Sequence, residues 1–383
     1  MARTPRIGAI DFWRGLVLIA ILFDHVPGNG LEYATARNFV FSDSAEAFVF
    51  LSGLSVGQIY TARARKQGVS AVAKACAQRA AKLYGAHLAM TAAAVAIFFF
   101  AFWLTGLGAL VVPHGRALFA ENVSRAITGV ALLGHQIGYF NILPLYIALM
   151  VWAPIAVLLT LRRPALALAV SVAIYAGARL GGVNLPNWPG DGHWFFNPFA
   201  WQLLFTCGVA AATLWRDRAP PRSPVALGAA LALLAFAALA TSDGFGLAPG
   251  LRDAVGSRLD LGKQDLGLGR LAHFFALAYL LAAVSAVVES RFGRVGEWLR
   301  SLGRHSLPVF AFGSLLCALG QALTTVAAAK YVDGVVLGFA MAYTLAALAA
   351  SFLLAGRLDS EWSFHPVSAT LGAIRRLPPR SMY

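Results

Sequence analysis

The chain has 383 residues, 59% hydrophobic and only 13% charged, with a mean hydropathy of +0.68. Soluble domains carry about a quarter of their residues as charges, and most of the apolar runs here are apolar all round rather than striped, which excludes a soluble helical protein. The formal charge of +14 would suit nucleic acid, but Lys and Arg gather in short links between apolar runs, the pattern of cytoplasmic loops in a membrane protein, so nucleic acid is not the expected partner.

Runs of about 17 to 25 apolar residues can each cross a hydrocarbon core. The predicted fold is all-α, a polytopic integral membrane protein of about ten transmembrane helices. They are placed at 9–27, 44–60, 83–107, 139–160, 164–182, 198–215, 225–242, 268–289, 305–327 and 334–356. An even count puts both termini on one side. The basic links on that side, including 61–82 with Arg79 and Lys82, place both termini in the cytoplasm. Residues 1–356 read as one transmembrane domain and 357–383 as a short basic cytoplasmic tail, with Arg375, Arg376 and Arg380 near the inner leaflet. The first apolar run is flanked by Arg14 and Asp24 and lacks a small-residue cleavage site, so no cleavable signal is expected. Cys76, Cys207 and Cys317 have neither disulfide nor metal spacing.

The first two spans carry charges that a membrane segment normally keeps only for a site. On a helix, Arg14 and His25 share one face, 11 residues and about 16 Å apart, with Asp11 about 40° and Asp24 about 100° away from His25. A cytoplasmic N-terminus sets Arg14 inward and His25 outward. His25 is suited to general-base chemistry near neutral pH; it also stands where the helix ends before Pro27-Gly28-Asn29-Gly30. Arg14 reads either as part of the site or as a side chain snorkelling to the interface. The second span opens with Asp43 and Glu46, of which Asp43 or Ser42 suits an N-cap and Glu46 lies one turn inside. Any of Asp24, Asp43 and Glu46 could orient the imidazole. Ser52-Gly53 in the middle of that span allows either close helix packing or room for a thin ligand.

Beyond the first two spans the signals are broader. Arg79 and Lys82 read as ordinary positive-inside charge or as a cradle for the phosphates of a coenzyme A thioester. The links at 108–138, 183–197 and 243–267 are long and rich in Gly, Pro, Asn, Trp and His. Their aromatic rings suit sugar faces or a membrane interface equally. The remaining histidines, His87, His114, His135, His193, His273, His305 and His365, read mostly as structural or interfacial. No repeat or duplicated broken-helix pair is visible.

Several blocks together resemble the OpgC family, integral membrane succinyltransferases of osmoregulated periplasmic glucans within the wider group of transmembrane acyltransferases. The carrying residues are Asp11-Phe12-Trp13-Arg14-Gly15-Leu16, Asp24-His25-Val26-Pro27-Gly28-Asn29, Arg37-Asn38-Phe39, and the run from Phe41 to Gly53. Leu143-Pro144-Leu145-Tyr146, the run Phe196 to Gln202 and the run Leu302 to Phe310 follow in the family's order. The wider group shares an Arg, ten residues, then His on its first helix, fitted by Arg14 and His25. It also shares a Ser-Gly, fitted by Ser52-Gly53, and basic residues opening the third helix, where Lys82 stands in place of the commoner Arg.

The resemblance implies an O-acyltransferase of the bacterial inner (cytoplasmic) membrane. Acyl-CoA, succinyl-CoA above all, enters from the cytoplasm, and a periplasmic glucan hydroxyl accepts the acyl group; no metal is expected. The expected catalytic group is His25 with Asp24 and Glu46. Arg14, Arg79, Lys82, Ser52, Gly53 and Arg304 are expected at the donor, and Asp43, Arg37, Asn197, Trp201 and Gln202 at the acceptor. A dicarboxylate donor needs a cation, for which Arg14, Arg37, Arg179 and Arg270 qualify. Two alternatives stay open: an O-acetyltransferase of another exported glycan, and a transporter of a glycan or small anion. Lipid is the one further partner implied; oligomeric state is not legible.

Overall fold

The structure, a computed structural model, describes residues 8–215 and 221–364. The described residues are helical throughout their ordered elements, without strands apart from one isolated bridge between Pro186 and His193. Helices stand at all ten predicted places: α1 (Gly8–His25), α2 (Ser44–Gln67), α3 (Val69–Thr105), α6 (Ile142–Arg162), α7 (Pro164–Gly181), α8 (Pro198–Leu214), α9 (Pro224–Thr241), α11 (Leu268–Arg291), α13 (Ser306–Ala328) and α14 (Asp333–Phe364). Seven helices among the described residues are long and apolar enough to cross a membrane. The other three depart for visible reasons: α1 and α2 carry charge, and α8 is a shorter apolar helix.

Local chemistry sets the helix ends. Proline opens α7, α8 and α9, where its missing N–H costs nothing and its fixed φ suits the first turn. Asn197 and Ser223 cap the last two by accepting from Phe199 and Ala226. Gly106, at φ 71°, closes α3 in the left-handed region.

Three sequence expectations change. The basic stretch 61–82 is helix rather than loop: α2 runs to Gln67, Gly68 breaks the chain at φ 81°, and α3 starts at Val69. Its composition is rich in Ala, Lys and Arg, all good helix formers, so charge there marks the membrane side without interrupting the helix. A further helix, α12 (Gly293–Arg304), was hidden because its polar residues mask an apolar stripe. Helix α14 continues to Phe364, so the predicted boundary at 356 falls inside it, while the remaining tail and His365 lie outside the described residues. The short helices α4 (Ala117–Glu121), α5 (Val123–Ala131) and α10 (Leu251–Gly256) occupy two of the long links.

Two close crossings hold the centre. Helix α2 lies on α8 with Gly53 and Gly57 against the backbone at Phe205 and Val209, and Gly208 against Phe50. Helix α1 lies on α12 in the same way, through Gly15 at Leu299 and Gly303 at Asp11. Without a hydrophobic force between helices in lipid, such small residues give the backbone approach that packing needs. A Cβ at Gly53 would collide with the Phe205 carbonyl oxygen. Gly53→Val should therefore cost about 1–3 kcal/mol or more through forced separation of the pair, seen as a lower melting temperature in detergent than Gly85→Val, where nothing lies within 4 Å.

Candidate active site

The end of α1 is shaped by Pro27, which cannot continue the helix, and by Asn29, whose amide donates to the carbonyls of Phe23 (2.9 Å) and Val26. The amide of Gln321, from α13, donates to the His25 carbonyl at 3.1 Å. These side chains satisfy carbonyls of the last turn, so the helix end does not depend on a His25 cap.

The His25 imidazole is consequently available for chemistry. Its Nδ1 lies 2.6 Å from the Ile21 carbonyl oxygen, one turn back. A carbonyl only accepts, so Nδ1 carries the proton and Nε2 presents its lone pair. Among the described residues Nε2 makes no hydrogen bond, and the edge of the Tyr139 ring packs on the imidazole at 4.8 Å and 84°. Tyr139 reaches this place from the link before α6 with φ 73°, an unusual left-handed conformation for a bulky residue, and also meets the His114 ring at 5.1 Å.

The carboxylates expected to orient His25 are committed elsewhere. Asp24 accepts from Thr35 Oγ1 at 2.5 Å, in keeping with its different helix face, and its carbonyl accepts from Arg37 at 3.2 Å. Glu46, fully buried, accepts from Arg270 Nε at 2.6 Å and from the Asp43 backbone N–H at 2.9 Å. The expected roles of Asp24 and Glu46 as partners of the imidazole are thereby corrected: the Ile21 carbonyl holds the ring.

Asp43 and Glu46 form a capping box at the start of α2. Asp43 also accepts from Lys263 at 2.6 Å and Arg270 at 3.1 Å. Burial alone would raise the Asp43 carboxyl, but the Lys263 ammonium and the Arg270 guanidinium outweigh it and hold the group well below its ordinary value of 3.8. A depressed carboxylate contributes stability that is present above its unfolded value and lost as pH falls through the folded one. The stability difference between the protein and Asp43→Asn should therefore be constant from pH 8 to 5 and shrink only in strong acid, measured by thermal unfolding in detergent.

Lys263 and Tyr139 were not among the expected site residues: Lys263 lies in a link whose fold periodicity does not reveal, and Tyr139, first residue of the predicted 139–160 span, stands in the link before α6, which starts at Ile142. His25 and Asp24 lie within electrostatic reach of Arg37, Asp43 and Lys263. Nearby, Ser42 Oγ and His273 Nδ1 are 2.8 Å apart and both residues are buried, with His273 Nε2 unpartnered among the described residues.

Asn197, Trp201 and Gln202, expected at the acceptor, support the protein itself. Asn197 bonds Val183 and Asp265, each at 2.8 Å, and Trp201, completely buried, donates to the carbonyls of Lys263 and Gln264 at 3.2 and 3.1 Å. Gln202 exchanges bonds with Ser171 at 2.6 and 2.8 Å. The first two thus position the link that carries Lys263, and the third ties α7 to α8.

Residues expected at the donor divide similarly. Arg14 is buried between α1 and α2, bonding the Leu51 carbonyl at 3.2 Å and Ser55 Oγ, with Asp11 at 3.7 Å. That burial excludes snorkelling and gives it an internal role. Gly53 packs on α8 with Ser52 buried beside it, so the small-residue reading resolves to packing. Arg304, with Ser301 and His305, converges on Asp359 at 2.6 to 2.9 Å, joining α12, α13 and α14. Arg79 and Lys82 lie one turn apart on α3, half-buried and exposed respectively.

A bundle of apolar helices with a charged cluster around one helix end defines a multi-pass helical membrane protein with a polar site. The family model described as "OpgC protein" matches residues 6–355, nearly the whole chain, and the chain belongs to that family. No curated protein and no solved structure matches it.

Proposed function

We propose that the chain is an O-acyltransferase of the bacterial inner membrane, moving an acyl group, most readily succinyl, from cytoplasmic acyl-CoA to a hydroxyl of a periplasmic glucan. Family membership suggests a glucan-modifying acyltransferase. The observation that carries the chemistry is the 2.6 Å contact of His25 Nδ1 with the Ile21 carbonyl, which assigns the proton to Nδ1 and leaves the Nε2 lone pair unengaged among the described residues. In the proposed step a glucan hydroxyl attacks the thioester carbonyl carbon while Nε2 takes its proton. The C–S bond breaks, coenzyme A leaves as thiolate, and the imidazolium returns the proton to the sulfur or to water. Arg79 and Lys82 are the basic groups proposed to meet the coenzyme A phosphates from the cytoplasmic side, where the ten-span reading also puts both termini.

Purified protein in lipid nanodiscs, given labelled succinyl-CoA and glucan, tests this reading. Label on the glucan and free coenzyme A in equal amounts are expected. In sealed vesicles, movement of glycan or anion without thioester cleavage would favour the transporter instead, and transfer of acetyl but not succinyl would favour the acetyltransferase.

A further inference from the structure

The end of the bundle that holds His25 opens into a cleft of about 500 Å3, between the 37–43 link, the end of α9, α10 and the start of α11. That is the size of a small-ligand site. Its cations are of two kinds. Arg270 is fixed by Glu46 and Asp43, and Lys263 beside it by Asp43. Arg37 and Arg252 also line the cleft, and among the described residues neither guanidinium has a carboxylate partner. Arg37 makes only the 3.2 Å bond to the Asp24 carbonyl, and Arg252 bonds Asp243 through its backbone N–H. Asp43 is already neutralised, leaving Asp253 as the other acidic group of the lining.

A guanidinium fork matches a carboxylate in two parallel bonds. The hydroxyls of Thr241 and Ser257 and the apolar Phe41 share the lining, a mixture that suits the hydroxyls and C–H faces of a sugar. Arg37 is also within electrostatic reach of His25, so the cleft and the proposed base serve one end of the bundle. We propose that this cleft recognises the carboxylate of an acidic acyl group already attached to the glycan acceptor, with Arg37 and Arg252 as the reading residues. A partly modified glycan would then be held for further transfer. The inference rests on the succinyl reading above, because a neutral acyl group would supply no carboxylate.

The test is a titration of the full chain in nanodiscs of neutral lipid with two glucan oligosaccharides of equal length, one neutral and one carrying succinyl half-esters. Two charge-assisted contacts at an exposed site should make the acidic ligand bind about tenfold more tightly, and the preference should shrink as salt is raised. In Arg37→Gln/Arg252→Gln the ratio should fall toward one. Arg258→Gln removes an exposed charge at the same end outside the cleft and should retain the preference. Equal binding of both ligands by the unaltered protein, or a preference surviving in the double variant, would overturn the proposal. Loss of the preference when phosphatidylglycerol is added to the nanodisc at constant ionic strength would also overturn it, assigning the cleft to anionic lipid. Failure of the succinyl reading is told apart by the mass of the group transferred in the nanodisc assay, which this titration does not use.

Discussion

Alanine at position 25 should lower acyl transfer by about 100- to 10,000-fold, the range for loss of a general base, while the bundle stays folded. The imidazole is half-buried and makes one hydrogen bond, to a carbonyl of its own helix. The last turn is closed independently by Asn29 and Gln321, so removing the ring leaves the backbone supported. Membrane yield and melting temperature should therefore match the unaltered protein, separating a chemical loss from a folding one. His25→Gln should be equally inactive, because an amide holds a polar contact but cannot take a proton at neutral pH. Asp24→Asn should lose far less, since Asp24 bonds Thr35 rather than the imidazole. Initial rates of coenzyme A release in the presence of glucan measure all three.

The largest stability effect is expected at Glu46. Its carboxylate is completely buried and sits 2.6 Å from Arg270 Nε, while its second oxygen takes the Asp43 N–H. Removing one partner of such a pair leaves a buried charge with less compensation and costs about 3–5 kcal/mol. Glu46→Ala also opens the capping box, worth a further ~1 kcal/mol. Glu46→Gln keeps the shape and part of the cap and should be milder. Combining Glu46→Gln with Arg270→Met should cost less than the sum of the two single changes, because the double variant leaves no unpaired charge at that pair. Melting temperatures of the four proteins in one detergent give the cycle, and strict additivity would show that the two groups do not act as a pair.

How much of this was legible in the sequence differs between fold and site. Among the described residues, helices stand at all ten predicted places, and seven of them are long and apolar enough to cross a membrane, because an apolar run of membrane length has few other outcomes. Helix α12 escaped because GRVGEWLRSLGR is polar on average, and only its partner α1, meeting it at Gly15 and Gly303, reveals which stripe is buried. At the site, Asp11, Arg14, Asp24, His25, Asp43 and Glu46 stood out as costly charges, yet cost alone does not say which residue meets which. The partners of Glu46 and Asp43 are Arg270 and Lys263, more than 200 residues away in the chain, and helical periodicity carries no information at that range. Asn197 and Trp201 were visible at the opening of an apolar span, but their bonds go to the 263–265 link and, for Asn197, also to Val183. At His25 the expectation of a carboxylate partner overlooked the shortest route: the ring bonds the Ile21 carbonyl one turn back, a backbone group of its own helix, and that bond sets the tautomer.

In the proposed mechanism His25, at the end of α1, is the residue that performs the transfer. The most direct measurement is the mass spectrum of periplasmic glucans from cells lacking any other copy of this activity, producing either the unaltered protein or His25→Ala at equal membrane levels. Glucan carrying one or more added succinyl units with the unaltered protein, and bare glucan with the variant, is the predicted result. Glucan modified to the same extent by His25→Ala would contradict it.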